Sequence, residues 1–334
     1  MIARLLSSRG PIVAILLLAV ALALPFLSDS TYLRHLMILV FIYGIVAASW
    51  DVTLGYTGIF NFAHTAFFGL GVYATGLLAK LGGLDPWASM LLGSVLVAGI
   101  AALVAWPVVR LQGIYVVLVT FAFSQLALQF VISQSDLTGG TQGLVRIPTI
   151  QLPGYNFLRD YKLGYYYVGL ALLGLSVLGL QILVRSDFGL SLRALRDNED
   201  YARARGIPVA RQRLKALVAS AFVAGLAGGF YAVYLRVASP EVFSFATTSL
   251  ILSMVLVGGV GTLWGPVLAA VVLTLGSEAL ANVRGLDEGR HMLVAVAMIL
   301  ALRFLPGGLI SALLPRRGAP DRAARPTVQG PTTP

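Results

Sequence analysis

Long apolar runs separated by short polar or Gly-Pro turns recur along nearly the whole chain, at 12–27, 33–54, 62–81, 87–108, 114–133, 165–184, 214–235, 245–257, 264–283 and 291–305. A bilayer core about 30 Å thick needs roughly 20 apolar residues in a helix, because backbone polar groups cannot go unpaired in hydrocarbon. Each run is therefore read as a membrane-spanning helix, the eighth being short for a full crossing. The first follows Arg4 and Arg9 as a signal peptide would, but Pro25-Phe-Leu-Ser-Asp29 lacks a small-x-small cleavage site, so it is read as a retained helix. The expected fold is an all-α integral membrane protein of about ten transmembrane helices occupying residues 1–314. Residues 315–334, rich in Pro, Arg, Ala and Thr without apolar periodicity, read as a disordered basic tail.

Charge sets the orientation. Lys and Arg number 24 against 14 Asp and Glu, and eight of the basic residues fall between the sixth and seventh runs, from Arg185 to Lys215. Four more, Arg316, Arg317, Arg322 and Arg325, lie in the tail. The 134–164 segment holds only Arg146, Arg159 and Lys162 against Asp136 and Asp160. Ten helices with both termini cytoplasmic keep both basic regions inside, whereas nine or eleven would expose one. The net charge of +10 thus reports topology in a lipid bilayer and not nucleic acid.

Composition excludes much chemistry. With 58% hydrophobic and 11% charged residues, a soluble globular enzyme cannot be built. Absence of Cys removes disulfides, thiolate metal sites and Cys nucleophiles. No G-x-x-x-x-G-K-[ST], H-E-x-x-H or G-x-S-x-G occurs, so no cofactor is expected in this chain. His35, His64 and His291 lie on different spans and form no metal-ligand spacing. Asp51, Glu278 and Arg303 are the main ionisable residues near helix ends, and each reads as interfacial or snorkelling.

Three segments carry more information. In 54–73, Gly55 and Gly58 bracket a chain break, and Asn61, His64 and Thr65 follow within about one helical turn. Unwound backbone at membrane depth is tolerated where it is buried or lines a cavity, so these side chains either line a translocation path or pack between helices that Gly69 and Gly71 bring close. In 257–266, Gly258 and Gly261 repeat the spacing of Gly55 and Gly58 at an offset of 203 residues, as expected of two related halves with broken or short helices. On the fifth run, Thr120, Ser124, Gln125 and Gln129 are polar, and Gln125 and Gln129 are one turn apart. That face is expected to meet Asn61 and His64 in a path, the alternative being interhelical hydrogen bonding.

The third segment spans 188–208 within the cytoplasmic stretch 185–215. Leu192, Leu195, Tyr201 and Ala202 form one apolar side of a short helix, while Asp197, Glu199 and Asp200 interleave with Arg193, Arg196, Arg203 and Arg205. Gly206-Ile-Pro208 stops the helix. It is either a solvated connector or a docking element for a partner that supplies energy.

Together these residues resemble the LivM-type permeases of branched-chain amino acid ABC importers, over nearly everything from the second run to about Leu314. The resemblance rests on Leu54-Gly-Tyr-Thr-Gly58, His64, Phe67-Phe-Gly-Leu-Gly71, Thr138-Gly-Gly-Thr-Gln-Gly-Leu144, Arg193-Ala-Leu-Arg-Asp-Asn-Glu199, Ser239-Pro240 and Gly258-Gly-Val-Gly-Thr-Leu-Trp-Gly-Pro266. It implies an ABC importer permease fold in a bacterial inner membrane, working with a homologous second permease of LivH type, two ATPase subunits that bind ATP and Mg, and a periplasmic substrate-binding protein. It also implies that Asp200-Tyr-Ala-Arg-Ala-Arg-Gly206 occupies the place of an E-A-A-x-x-x-G coupling loop, of which only Ala202 and Gly206 fit strictly. Coupling to the ATPases is thereby expected at Arg193, Arg196, Asp197, Glu199, Asp200, Ala202 and Gly206. Arg303-Phe-Leu-Pro-Gly-Gly308 departs from the family's Phe-Arg-Pro-Arg-Gly ending and lacks its second Arg. A urea or short-amide permease is the nearest rival, and a membrane enzyme using His64 and Asp51 as acid and base is the rival of another class. An ion-coupled carrier would need buried acids that the spans mostly lack.

Overall fold

The computed structural model describes residues 22–26, 30–151, 157, 162–281 and 308–309, with the side chains of 278–281 outside that set. The expected tenth span and the tail lie outside the described residues, as does the first span except for helical residues 22–26.

Helix α1 (Thr31–Asp51) begins where the Ser30 hydroxyl accepts the Leu33 amide at 3.3 Å. Ile38, Ile42, Ile45 and Trp50 are fully enclosed, so α1 is wrapped by protein. It ends in a π-helical turn, Val52–Tyr56. Helix α2 (Ala63–Lys80) follows, then α3 (Pro86–Val108), whose N-terminus is capped by Asp85 accepting the Trp87 amide at 3.0 Å. Helix α4 (Ile114–Ser133) coincides with the fifth apolar run. Helix α5 (Leu163–Arg185) leads to the paired short helices α6 (Asp187–Asp197) and α7 (Glu199–Ala204). Helices α8 (Val209–Leu235), α9 (Phe245–Gly258) and α10 (Trp264–Ala281) complete the bundle.

Among the described residues, α3, α4, α5, α8 and α1 with its π turn are long and apolar enough to cross a membrane. Helices α3 and α4 bury only a narrow seam each, Val97, Ala101 and Ala105 on one and Thr120, Ser124 and Ala127 on the other. Their remaining faces expose Leu103, Trp106, Leu118 and Leu126, which a bilayer solvates and water would not. Helix α9 is 14 residues long, so the eighth span is indeed short. Helix α8 starts earlier than the apolar run at 214, because its first turns carry Arg211, Arg213 and Lys215.

Close packing rests on glycine. Helices α2 and α8 cross where a Cβ on Gly71 would collide with the Gly225 backbone, and one on Gly228 with the Phe68 carbonyl. Gly69 makes room for the Phe243 ring. The one departure from all-α structure among the described residues is a two-residue ribbon, Leu144–Val145 paired antiparallel with Val237–Ala238. It joins the Thr138–Leu144 and Ser239-Pro240 motifs to each other.

Candidate functional site

The two chain breaks meet. After α1, the backbone carries the π turn and then a left-handed Gly58 at φ 72°. Thr53 organises this segment: its carbonyl accepts the Ile59 amide at 3.1 Å and the Thr57 hydroxyl at 2.6 Å. Its hydroxyl accepts the Asn61 amide group at 2.9 Å. After α9, Gly259 and Gly261 have φ of 109° and 81°, and Leu263 is held left-handed at φ 55°. The breaks at Gly55 and Gly261 are in van der Waals contact, since a Cβ on Gly55 would collide with both the Gly261 amide and the Asp51 carboxylate. Gly258 packs in the same manner on Gly265.

Asp51 closes this junction. It is fully buried, and its carboxylate accepts the backbone amides of Gly261 at 2.6 Å, Thr262 at 2.9 Å and Leu263 at 3.0 Å. The interfacial, solvent-reaching role expected for Asp51 is thus replaced by an internal one, because three otherwise orphan amides of the second break need an acceptor inside the protein. The expected Glu278 side chain and Arg303 lie outside the described residues.

The Asn61–Thr65 stretch lies just beyond. Asn61, His64 and Thr65 are all buried. His64 Nε2 is 2.8 Å from the Ser49 hydroxyl, and its ring stacks on Trp50 at 5.5 Å. Each of the three keeps a buried polar atom without a partner: Asn61 Oδ1, His64 Nδ1 and Thr65 Oγ1. From α4, Thr120 Oγ1 accepts the Phe62 amide at 3.0 Å and Ser124 Oγ donates to the Phe62 carbonyl at 2.8 Å. Thr120 and Ser124 therefore meet this stretch, through its backbone. Gln125 does not: it is exposed away from the seam with Gln129, because residues 120 and 124 set the seam and 125 is turned about 100° away from 124. Phe121 stays at the edge of the seam and meets the Phe62 ring edge-on at 6.0 Å. Gly58, Ile59, Phe60, Gln112, Glu199 and Arg213 border an open cleft of about 360 Å³ beside the break.

The segment expected to couple forms two helices, not one. Asn198 ends α6 and caps α7 by accepting the Tyr201 amide at 2.9 Å. The chain stops at Gly206 with φ 83°, where the Ile207 amide reaches the Ala202 carbonyl at 3.1 Å and the Gly206 amide the Arg203 carbonyl at 3.0 Å, a Schellman arrangement. Leu192, Leu195 and Ala202 are buried as expected, whereas Tyr201 is 58% exposed, hydrogen-bonded through its hydroxyl to Arg205 at 2.7 Å. Glu199 pairs with Arg203 at 2.8 Å and with Arg213 of α8 at 2.7 Å, tying the hairpin to a spanning helix. Asp200 is exposed.

From α6, Arg196 Nη1 donates to the Gly55 carbonyl at 2.6 Å, while its other nitrogens reach the exposed Asp197 at 3.2 and 3.3 Å. Arg193 lies 5.3 Å from the centre of the Tyr56 ring. Neither Arg196 nor Asp51 announces its contact in the sequence. A lone Asp at a helix end and an Arg in a mixed-charge segment both have commonplace readings.

Among the described residues, no cluster of His, Asp or Glu is arranged to hold a metal ion. The Asp51 carboxylate is engaged by three backbone amides, an arrangement for holding backbone.

Comparison with known proteins agrees with this architecture. The LivM permease protein of the high-affinity branched-chain amino acid transport system of Escherichia coli is 29% identical over 330 residues, covering 92% of this chain and 77% of the relative. Its Salmonella typhimurium counterpart is 29% identical over 321 residues, 90% of this chain and 75% of the relative. A probable branched-chain amino acid transport permease, LivM, of Methanocaldococcus jannaschii is 25% identical, covering 80% of this chain and 90% of the relative. No solved structure matches the chain. These relatives are transport permeases and not enzymes. Residues 32–302 match the family described as the branched-chain amino acid transport system permease component, and the chain belongs to that family.

Proposed function

We propose that the chain is a permease subunit of an ATP-driven ABC importer carrying branched-chain or similar amino acids into the cytoplasm. In this reading it is a multi-pass protein of the bacterial inner membrane, about ten helices in two related halves, with both termini cytoplasmic. Two ATPase subunits holding ATP and Mg drive it, a homologous second permease flanks it, and a periplasmic binding protein delivers substrate. The observation that carries the reading is the α6–α7 hairpin. It presents exposed Asp197, Asp200 and Arg203 on one side and is bonded on the other to the junction of the broken helices. A partner seated on such a hairpin moves the membrane segments mechanically, without a nucleotide site in this chain. The matching Gly-x-x-Gly breaks, each between two apolar helices, support the two-halves arrangement.

Asn61, His64 and Thr65, with Thr120 and Ser124, line the path in this reading. Their support is the three buried polar atoms left without partners, which a hydrated state of the same region would satisfy. The ion pairs of Arg196 with Asp197 and of Glu199 with Arg203 and Arg213 lie within the 185–215 segment and not among these path residues, and in this reading selectivity falls to the binding protein. Gln125 lies outside the path, on a face open to lipid or to the second permease.

The names of the relatives favour amino acids over urea or short amides. The test is uptake by the whole complex in proteoliposomes. ATP-dependent entry of labelled leucine that requires the binding protein is expected. Urea entry without leucine entry, or ATP hydrolysis by this chain alone, would overturn the proposal.

A further inference from the structure

We propose that Arg196 is the positioning residue that transmits hairpin movement to the transmembrane breaks, seated on the Gly55 carbonyl in the space that Gly58 and Gly261 leave open. This rests on the importer reading and adds the linkage through which the hairpin acts. Three observations converge. Arg196 Nη1 donates to the Gly55 carbonyl at 2.6 Å, across 141 residues of sequence. A Cβ on Gly58 would stand 3.1 Å from Arg196 Cγ, and one on Gly261 would stand 3.3 Å from Arg196 Nη1. The stem of the side chain therefore lies over one break and its head over both.

The seat is also rigid where it has to be. Asp51, at the foot of α1, accepts the Gly261, Thr262 and Leu263 amides, so the two breaks are fastened to each other independently of Arg196. A pull on the Gly55 carbonyl then moves α1 and the α9–α10 break as one body. Glu199, on α7, holds Arg213 of α8 at 2.7 Å, which gives the hairpin a second anchor on a different helix. Movement of the hairpin relative to α8 thus loads the Arg196 contact. The Asp197 carboxylate beside Arg196 is 69% exposed and contributes little energy, but it keeps the guanidinium oriented.

The absence of Cys allows a clean test, since labels go only where they are placed. Leu190 on α6 is 65% exposed and Val260 in the second break is 43% exposed, so Leu190→Cys with Val260→Cys accepts a spin-label pair spanning the linkage. Pulsed electron resonance on the chain in nanodiscs is expected to give one narrow distance. Arg196→Gln broadens it, and Arg196→Lys, which keeps a charged donor, restores it. In the reconstituted complex, Arg196→Gln raises the ATP hydrolysed per leucine imported by about tenfold or more, the factor set by losing a hydrogen bond to a charged group. Arg196→Lys returns the ratio most of the way. A change in folding alone would lower uptake and hydrolysis together and leave that ratio unmoved. If Arg196→Gln keeps both the narrow distance and the ratio, the linkage is wrong while the importer reading stands. If the wild-type complex imports no leucine, the importer reading fails and the distance measurement still decides the linkage.

Discussion

Removing the Asp51 carboxylate should open the junction of the two breaks before it unfolds the bundle. Asp51→Ala leaves the Gly261, Thr262 and Leu263 amides, now bonded at 2.6, 2.9 and 3.0 Å, with no acceptor. A buried amide without a partner costs about 1–3 kcal/mol, so three give roughly 3–9 kcal/mol. Releasing a buried carboxylate offsets several kcal/mol of desolvation. The net local destabilisation is on the order of 3 kcal/mol, roughly a hundredfold in the opening equilibrium. Asp51→Asn keeps one carbonyl oxygen and should fall between the two. Hydrogen–deuterium exchange of the peptide covering 259–264 reads this directly, with exchange ranked alanine, asparagine, wild type from fastest to slowest. Equal protection in all three proteins would refute the idea that the carboxylate closes the junction.

Further outcomes are expected. Gly71→Val forces α2 and α8 apart at the Gly225 backbone and should lower stability by about 3 kcal/mol, read as a fall in melting temperature in nanodiscs. Thr120→Val strips the Phe62 amide of its acceptor and should cost about 1–2 kcal/mol, whereas Gln125→Ala on the exposed face should stay within about 0.5 kcal/mol by the same thermal assay. Gly206→Ala meets no atom within 4 Å and should cost only about 1 kcal/mol for its positive φ. Ala202→Trp must enter the packed space beside Leu195 and Val209, so it should abolish stimulation of the ATPases in reconstituted complex where Gly206→Ala preserves it.

The sequence is informative where a boundary is local. Helix α4 matches its apolar run residue for residue, because Gly113 with φ 58° and Gln134 flank it. The stop at Gly206-Ile-Pro208 is likewise a local matter of one left-handed residue. Where helices are not apolar throughout, hydropathy misplaces them: α8 begins five residues before the 214–235 run, in a turn rich in Arg. The site was only half legible. Both Gly-x-x-Gly breaks stand out, yet nothing local says that Gly55 and Gly261 touch, or that Asp51 is what holds them. Gln125 shows the same limit in another form, since its polarity suggests a buried partner and the neighbouring seam of Thr120 and Ser124 turns it outward.

Helix α8, 27 residues long, extends roughly 40 Å at 1.5 Å per residue. At one end Arg213 is fixed to the α7 carboxylate. At the other, Arg236 donates to the Ile147 carbonyl at 3.3 Å, and the two-residue ribbon pins residues 144–145 to 237–238. Where it crosses α2, at Gly71 against Gly225 and Gly228 against the Phe68 carbonyl, backbone lies directly on backbone. Such a rod cannot absorb a displacement by bending at its contacts. A rotation at the hairpin end therefore reappears as an opposite sweep of similar size at the ribbon, as in a lever pivoting near its middle on the Gly71–Gly225 crossing, so that the two ends of the rod keep mechanical time with each other.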